Sequence, residues 1–311
     1  MRGAKLSLAA ALGLEMTRTH NSSGALRLRL CWVLAFCWFI VFLSGTLPGS
    51  NTAVSQSLQA LLLLLFVVLH ASLSYGYKGF ATYAGIACVV SFVMEATSIQ
   101  SGFPFGFYTH NVAGLKPLGV PLYVPLVYMT AGWMAWVLSQ LITRDQPSEA
   151  SGAARFTTPL IAAFVLTFFD FPLDPTGATV QGLWTFRHPG GYFGVPLTNF
   201  LGWLLTGWLF FQLFALLERR FGSERASTVH SSGYWLLPCL VWAGMAVQFP
   251  IKYATSPQGT VSVGARVFVI ADVYESSVIA ALLTMVFAAL VAIMRIWSPA
   301  AVAQRDEQRG K

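Results

Sequence analysis

Apolar residues in this chain come in runs. Nearly uncharged stretches lie at 28–47, 58–76, 80–99, 119–141, 157–173, 195–217, 234–250 and 267–296. A helix of about 20 apolar residues is what it takes to cross a hydrocarbon core ~30 Å thick. The pattern predicts an all-α, polytopic integral membrane protein with about eight transmembrane helices, seven being the alternative count. Lys and Arg divide 15 to 4 between alternate connections when the N-terminus is placed inside. That bias orients membrane proteins, so both termini are expected on the cytoplasmic side of the cell (inner) membrane. One transmembrane domain, 28–297, is expected between an N-terminal tail, 1–27, and a C-terminal tail, 298–311. The N-terminal tail reads as disordered and cytoplasmic. Its short apolar run Ser7–Leu14 follows a basic start and weakly resembles a signal peptide, and Met16 is an alternative start.

Two connections interrupt the runs differently from the rest. Segments 100–118 and 174–194 are rich in Gly, Pro and aromatic residues, which forbid continuous helix. Irregular backbone close to a membrane is tolerated where it is buried in protein or lines a cavity. On the predicted topology both connections are on the outer side. Glu95, Asp170, Asp174, Asp272 and Glu275 fall at that same side, at the ends of helices. A repeat links the two regions. Gly-Val-Pro-Leu at 119–122 and Gly-Trp at 132–133 recur 75 positions later at 194–197 and 207–208. The same offset carries Glu95 onto Asp170. The pattern reads as a weak internal duplication of a helix pair.

Composition sharpens the class. The chain has 311 residues, of which 56% are hydrophobic and only 10% charged, against about 25% charged in soluble proteins. The net charge of +7 comes from basic residues scattered at helix ends, so it speaks for membrane orientation and membrane lipid, not for nucleic acid. Cys31, Cys37, Cys88 and Cys239 lie inside apolar runs, as small buried side chains do. The five histidines form no pair at helical spacing. That excludes the clustered-His sites of membrane desaturases and hydroxylases, and no metal ligand set is predicted.

Ionisable groups at the margin of a membrane span are candidate functional residues by default. Glu95 lies in an otherwise apolar helix, where burial favours the protonated form; the alternative is a Glu hydrogen-bonded to a neighbouring helix for packing. Asp170 and Asp174, four apart, share one face if the helix continues through Pro172. The alternative is that Asp174-Pro175 opens a turn. Asn199, three residues past Pro196, could orient a water or an acid, or pack helices through a hydrogen bond. Asp272 and Glu275 suit the start of the last helix, where acids are favourable. Phe105, Tyr108, Trp184 and Tyr192 crowd the two connections beside the acids. Such rings form interfacial belts, or walls for a conjugated hydrocarbon or a cation developing on one.

Glu95, Ser101-Gly102-Phe103-Pro104-Phe105-Gly106-Phe107-Tyr108, Leu118-Gly119-Val120-Pro121-Leu122, Asp170, Leu173-Asp174-Pro175, Trp184, and Gly191-Tyr192-Phe193-Gly194-Val195-Pro196-Leu197-Thr198-Asn199-Phe200-Leu201-Gly202-Trp203 together resemble a known family. It is the carotenoid biosynthesis membrane family of carotenoid hydratases, of the γ-carotene hydroxylase and bisanhydrobacterioruberin hydratase type. The resemblance covers roughly residues 90–210. Phe169-Asp170 and Trp184-Thr185-Phe186 depart from the expected Trp-Asp and Trp-x-Trp, aromatic for aromatic.

The resemblance implies addition of water to the terminal double bond of an acyclic carotenoid end, without a cofactor. It makes a lipophilic carotenoid and water the substrates, and other carotenoid-pathway enzymes further partners. Glu95 or Asp170 would be the acid, Asp174 its partner, and Asn199 the group positioning water. Phe105, Tyr108, Trp184, Tyr192 and Trp203 would bind substrate. Which carboxyl is acid and which is base stays open. A carotenoid cyclase, a prenyltransferase using Asp170 and Asp174, and a small-molecule carrier are the rival readings. The topology is directly testable: reporter fusions at Gly114 and Arg225 are expected to give opposite signals, and equal signals would overturn the assignment of the acids to one side.

Overall fold

A computed structural model describes residues 3–50, 53–143, 154–224 and 227–298 of the chain. Its helices are α1 (Gly3–Thr46), α2 (Ala53–Ser101), α3 (Tyr123–Thr143), α4 (Ala154–Asp174), α5 (Leu197–Leu217), α6 (Ser232–Ala246), α7 (Gln248–Ala254), α8 (Ile270–Ala281) and α9 (Phe287–Ile296). A wide π-type turn, Leu282–Val286, joins α8 to α9. Strands β1 (Tyr108–His110) and β2 (Trp184–Phe186) pair with each other, as do β3 (Thr260–Val263) and β4 (Arg266–Val269). Helix α1 takes in most of the segment 1–27 that composition assigns to a tail, and the predicted C-terminal tail beyond Ser298 lies outside the described residues.

Among the described residues seven helices are long and apolar enough to cross a membrane, against eight apolar runs in the sequence. The difference is α2, which joins the runs 58–76 and 80–99. Its 49 residues, at about 1.5 Å each, would reach more than twice the ~30 Å of a hydrocarbon core. At Gly76 the backbone leaves the helix (φ 65°, ψ 175°), a conformation open to glycine and costly for other residues. Partners on either side give the direction of each arm. Gln59 donates to the Val41 carbonyl and Arg27 to Ser72, so the first arm runs antiparallel to α1. Trp133 donates to His70 and Gln140 to Tyr75, so the first arm runs parallel to α3, whereas beyond Gly76 Tyr83 donates to the Met129 carbonyl and Cys88 to the Pro125 carbonyl. The second arm therefore runs antiparallel to α3. Gly76 reverses the chain, and α2 supplies two crossings.

Helix α3 is the centre of the bundle, packed by α2, α4, α6 and α9. Lipid tails are as apolar as Leu, so packing and interhelical hydrogen bonds hold such helices together, at about 0.6–2 kcal/mol per bond. Trp133 Nε1 donates to His70 Nδ1 at 3.1 Å, and His70 Nε2 meets the Tyr234 carbonyl at 2.9 Å. Small residues allow close approach: Gly132 faces Tyr83 of α2, and Gly207 faces Ala163 of α4. Leu61, Val89, Leu160 and Phe287 point outward and are exposed, the expected surface for lipid.

The duplication is present in the backbone. Leu118 and Gly119 have φ of 51° and 86°; their counterparts 75 positions on, Phe193 and Gly194, have 49° and 88°. Val120 and Val195, next in each copy, are both fully buried. The N–H of Val124 bonds the Pro121 carbonyl at 3.0 Å, and that of Asn199 bonds the Pro196 carbonyl at 3.0 Å. Each copy thus makes the same left-handed turn and enters its second helix the same way. The two connections then meet, because β1 pairs antiparallel with β2 through Tyr108–Phe186, Thr109–Thr185 and His110–Trp184.

Gly202 of α5 shows how tightly the first connection is seated. A Cβ there would lie 2.4 Å from the ring of Phe105, which is buried. Gly202→Ala is expected to destabilise the protein by about 1–3 kcal/mol, the usual cost of overpacking, read as a lower thermal midpoint in detergent. Gly85, with nothing within 4 Å of a built Cβ, is the control: Gly85→Ala is expected to be neutral or stabilising, since Ala is the better helix former.

Candidate active site

Three carboxyls meet at the end of the bundle that carries the β1–β2 hairpin. Glu95 comes from the last turns of α2, and Asp170 and Asp174 from the end of α4. Helix α4 runs through Pro172 to Asp174, so the two aspartates do share a face, one turn apart. After Asp174 the chain widens into a π-helical turn, Pro175–Val180, in which Gly177 lies beneath the Trp184 ring. All three carboxyl residues are buried, at 4%, 1% and 2% exposure. They line one cavity of about 110 Å³ together with His110, Tyr123, Tyr128, Phe169 and Asn199.

Buried charge is tolerated where hydrogen bonds replace water. Glu95 accepts from the Tyr128 hydroxyl on Oε1 at 3.1 Å and from the Tyr108 hydroxyl on Oε2. Burial first, and then the charge of Glu95, push the Tyr108 hydroxyl well above the ordinary tyrosine range. Tyr108 therefore stays an O–H donor. His110 Nε2 lies 3.5 Å from the same Oε2 without making a hydrogen bond.

The aspartates are held by different means. The Asn199 amide donates to Asp170 Oδ2 at 2.9 Å and to Asp174 Oδ2. One amide nitrogen holds the two carboxyls side by side, and Trp184 lines the same cavity. Both Asn199 donors are thus committed to carboxyls and not to a water. Around this polar floor the walls are aromatic. Tyr128 and Trp203 stack at 4.2 Å with their planes 19° apart, and these two residues are counterparts across the 75-residue offset.

The cavity gathers seven of the residues singled out in the sequence: Glu95, Asp170, Asp174, Asn199, Tyr108, Trp184 and Trp203. Phe105 and Tyr192 lie outside its lining. Phe105 is packed behind Tyr108, at 6.3 Å between ring centres, and against Gly202. Tyr192 stacks on Phe171 at 4.7 Å, and burial followed by the Asp174 charge pushes its hydroxyl up to about 12. Asp272 stands in the first turn of α8 and Glu275 one turn later, both away from the cavity. Arg266 bonds the Gly190 carbonyl at 2.5 Å and Lys252 bonds Gln248 at 2.8 Å, so each of these cations has a partner other than those acids. Tyr123, Tyr128 and His110 are polar lining residues not singled out in the sequence. The 75-residue offset from Trp203 would have led to Tyr128, and strand alternation places His110 on the same face as Tyr108.

Comparison with known proteins follows the same region. The chain is 32% identical over 149 residues to bisanhydrobacterioruberin hydratase of Haloarcula japonica, covering 46% of this chain and 47% of that protein. The chain therefore spans about half the length of this curated relative. No solved structure matches significantly. The model of the family described as "Carotenoid biosynthesis protein" matches residues 55–270, a span that contains both helix pairs and every carboxyl of the cavity, and the chain belongs to that family.

Proposed function

We propose that the protein is a carotenoid hydratase that adds water to the terminal double bond of an acyclic carotenoid end, using its carboxyls alone. The observation that carries this reading is the pairing of two carboxyl environments across one small, mostly aromatic cavity. Two buried carboxyls held on one amide nitrogen cannot both carry a charge without strong repulsion, so the Asp170–Asp174 pair is the store of acid. Glu95, receiving two tyrosine hydroxyls, is set up as the carboxylate and base. Carboxyls with the same chemistry and different surroundings are how one site runs acid and base steps together.

The chemistry follows in two steps. The proton of the aspartate pair bonds to the CH carbon of the trisubstituted alkene, and the π electrons leave a tertiary cation on the dimethyl carbon. Water bonds to that carbon, and Glu95 takes the proton released, giving a tertiary alcohol. The Tyr128–Trp203 stack and Trp184 present π faces to the cation, an attraction of about 0.5–2 kcal/mol per ring. Asn199 keeps the aspartates together during transfer.

Size supports the same substrate end. An apolar cavity of about 150 Å³ takes a benzene, so one of about 110 Å³ suits a branched five-carbon terminus and excludes the polyene. Tyr123 lines the cavity and is 42% exposed beside exposed Leu122 and Leu126. That flank is where the rest of the chain would pass into the bilayer. The similarity to a hydratase over 149 residues of the chain agrees with the reading.

Glu95→Gln and Asp170→Asn are each expected to lower hydration by about 10²–10⁴-fold, the usual contribution of a general acid or base, while the protein still accumulates in the membrane. The assay is pigment analysis in a host that makes acyclic carotenoids. The new hydroxyl oxygen is expected from labelled water and to form without air. Label arriving from O₂, or full activity in both variants, would sink the proposal.

A further inference from the structure

Two buried histidines in this protein are held in opposite ways. His70 has both ring nitrogens committed, Nδ1 to the Trp133 indole at 3.1 Å and Nε2 to the Tyr234 carbonyl at 2.9 Å. That ring is a structural pin. The His110 side chain is only 7% exposed, yet neither Nδ1 nor Nε2 has a hydrogen-bond partner among the described residues. Buried polar atoms of that kind are rare in native proteins, because each forfeits the hydrogen bond it had in water. An unpaired imidazole facing a carboxyl inside a cavity calls for a use.

The surroundings hold the ring in place while leaving its nitrogens free. Tyr108 and Trp184 pack edge-on against it, with ring centres at 5.2 and 6.5 Å. Lys116 anchors the His110 carbonyl at 3.0 Å, and the next residue is fixed to the second connection by Asn111 N–H to Leu183 at 2.8 Å. Nε2 lies 3.5 Å from Glu95 Oε2, a few tenths of an ångström beyond hydrogen-bonding distance. No hydrogen bond of the ring has to be given up before it takes a proton from that carboxyl.

We infer that His110 is the proton-relay residue of this site, resetting Glu95 between turnovers. The inference rests on the hydratase reading. Hydration consumes no net proton, but each turnover moves one from the aspartate pair to Glu95. The enzyme is ready again only when Glu95 has lost its proton and the pair has regained one. The imidazole takes the Glu95 proton on Nε2 and gives that same proton to a water entering the cavity once product has left, so the ring returns to its starting tautomer. The Asp170–Asp174 pair takes one proton from water, so the cycle closes without an oxidant, reductant or further reactant. A neutral imidazole nitrogen can take up and release one proton in this way without the ring moving.

A relay used only for resetting predicts a kinetic split that a structural role would not give. Purified His110→Gln in lipid nanodiscs is expected to hydrate lycopene within about twofold of the unmodified rate when enzyme exceeds substrate, so that each site turns over once. With substrate in excess, its rate after the first turnover is expected to fall at least tenfold. Equal multiple-turnover rates for variant and unmodified protein would overturn the relay, as would loss of the first turnover. His110→Asn takes the place of the Gln variant if the latter does not accumulate. If the unmodified protein itself hydrates no acyclic end, the hydratase reading has failed, an outcome distinct from failure of the relay alone.

Discussion

Burying a carboxyl away from water demands donors for it, and three buried carboxyls set the design of one whole end of this bundle. An ionised group moved into a dry interior costs several kcal/mol unless its hydrogen bonds are replaced. No single helix supplies enough donors here. Glu95 of α2 takes one hydroxyl from α3, through Tyr128, and one from β1, through Tyr108. The aspartates of α4 take an amide from α5, through Asn199. The β1–β2 pairing that joins the two connections thus brings together donors from elements far apart in sequence. Its seating is tight for the same reason: Gly177 and Gly202 leave room for Trp184 and Phe105, which back the polar groups with rings.

Duplication explains how one acid came to have two settings. Glu95 and Asp170 occupy equivalent places in the two helix pairs, and so do Tyr128 and Trp203, which stack on each other in the middle of the site. The copies differ around that shared frame. Asp174 and Asn199 stand where the first copy has Ile99 and Val124. Those changes turn a lone carboxyl into a clamped pair. In the first copy the hydroxyls of Tyr108 and Tyr128 do the compensating. Acid–base catalysis needs carboxyls whose surroundings differ, and a duplicated frame with divergent neighbours produces that difference with little alteration of backbone.

Much of this was legible in the sequence because membrane crossing leaves so few options. Apolar runs gave the helices, and three of the five acids at their ends, Glu95, Asp170 and Asp174, line the candidate cavity. The paired Gly-Val-Pro-Leu turns announced the repeat, and the structure returns it as matching left-handed φ values at Leu118–Gly119 and Phe193–Gly194. The reversal inside α2 was visible as two runs, although the helix signal continues through Tyr75-Gly76-Tyr77 and only the backbone at Gly76 shows the break. The aromatic residues were less readable. Composition places Phe105, Tyr108, Trp184 and Tyr192 in one neighbourhood, but strand register and turn geometry decide which ring faces inward. Tyr108 and Trp184 do; Phe105 packs behind Tyr108, and Tyr192 stacks on Phe171. His110 escaped a search for helical His pairs because its partner, Glu95, is 15 positions away on another element, reached through a strand.

The size of the cavity bears on where binding energy comes from. A site of about 110 Å³ touches little of a long hydrocarbon, so on the hydratase reading it gains little affinity from burial. Little is needed. On that reading the substrate would already be concentrated in the bilayer, and the remaining task would be to hold a terminus in line between the aspartate pair and Glu95. Positioning of that kind is worth several kcal/mol of barrier by itself. It also confers selectivity by shape, since a cyclised end group is bulkier than a branched five-carbon terminus and meets Tyr128, Trp203 and Phe169 before it reaches the carboxyls. On the hydratase reading, a small, well-walled recess would therefore select by end group, whatever the length of the chain behind it.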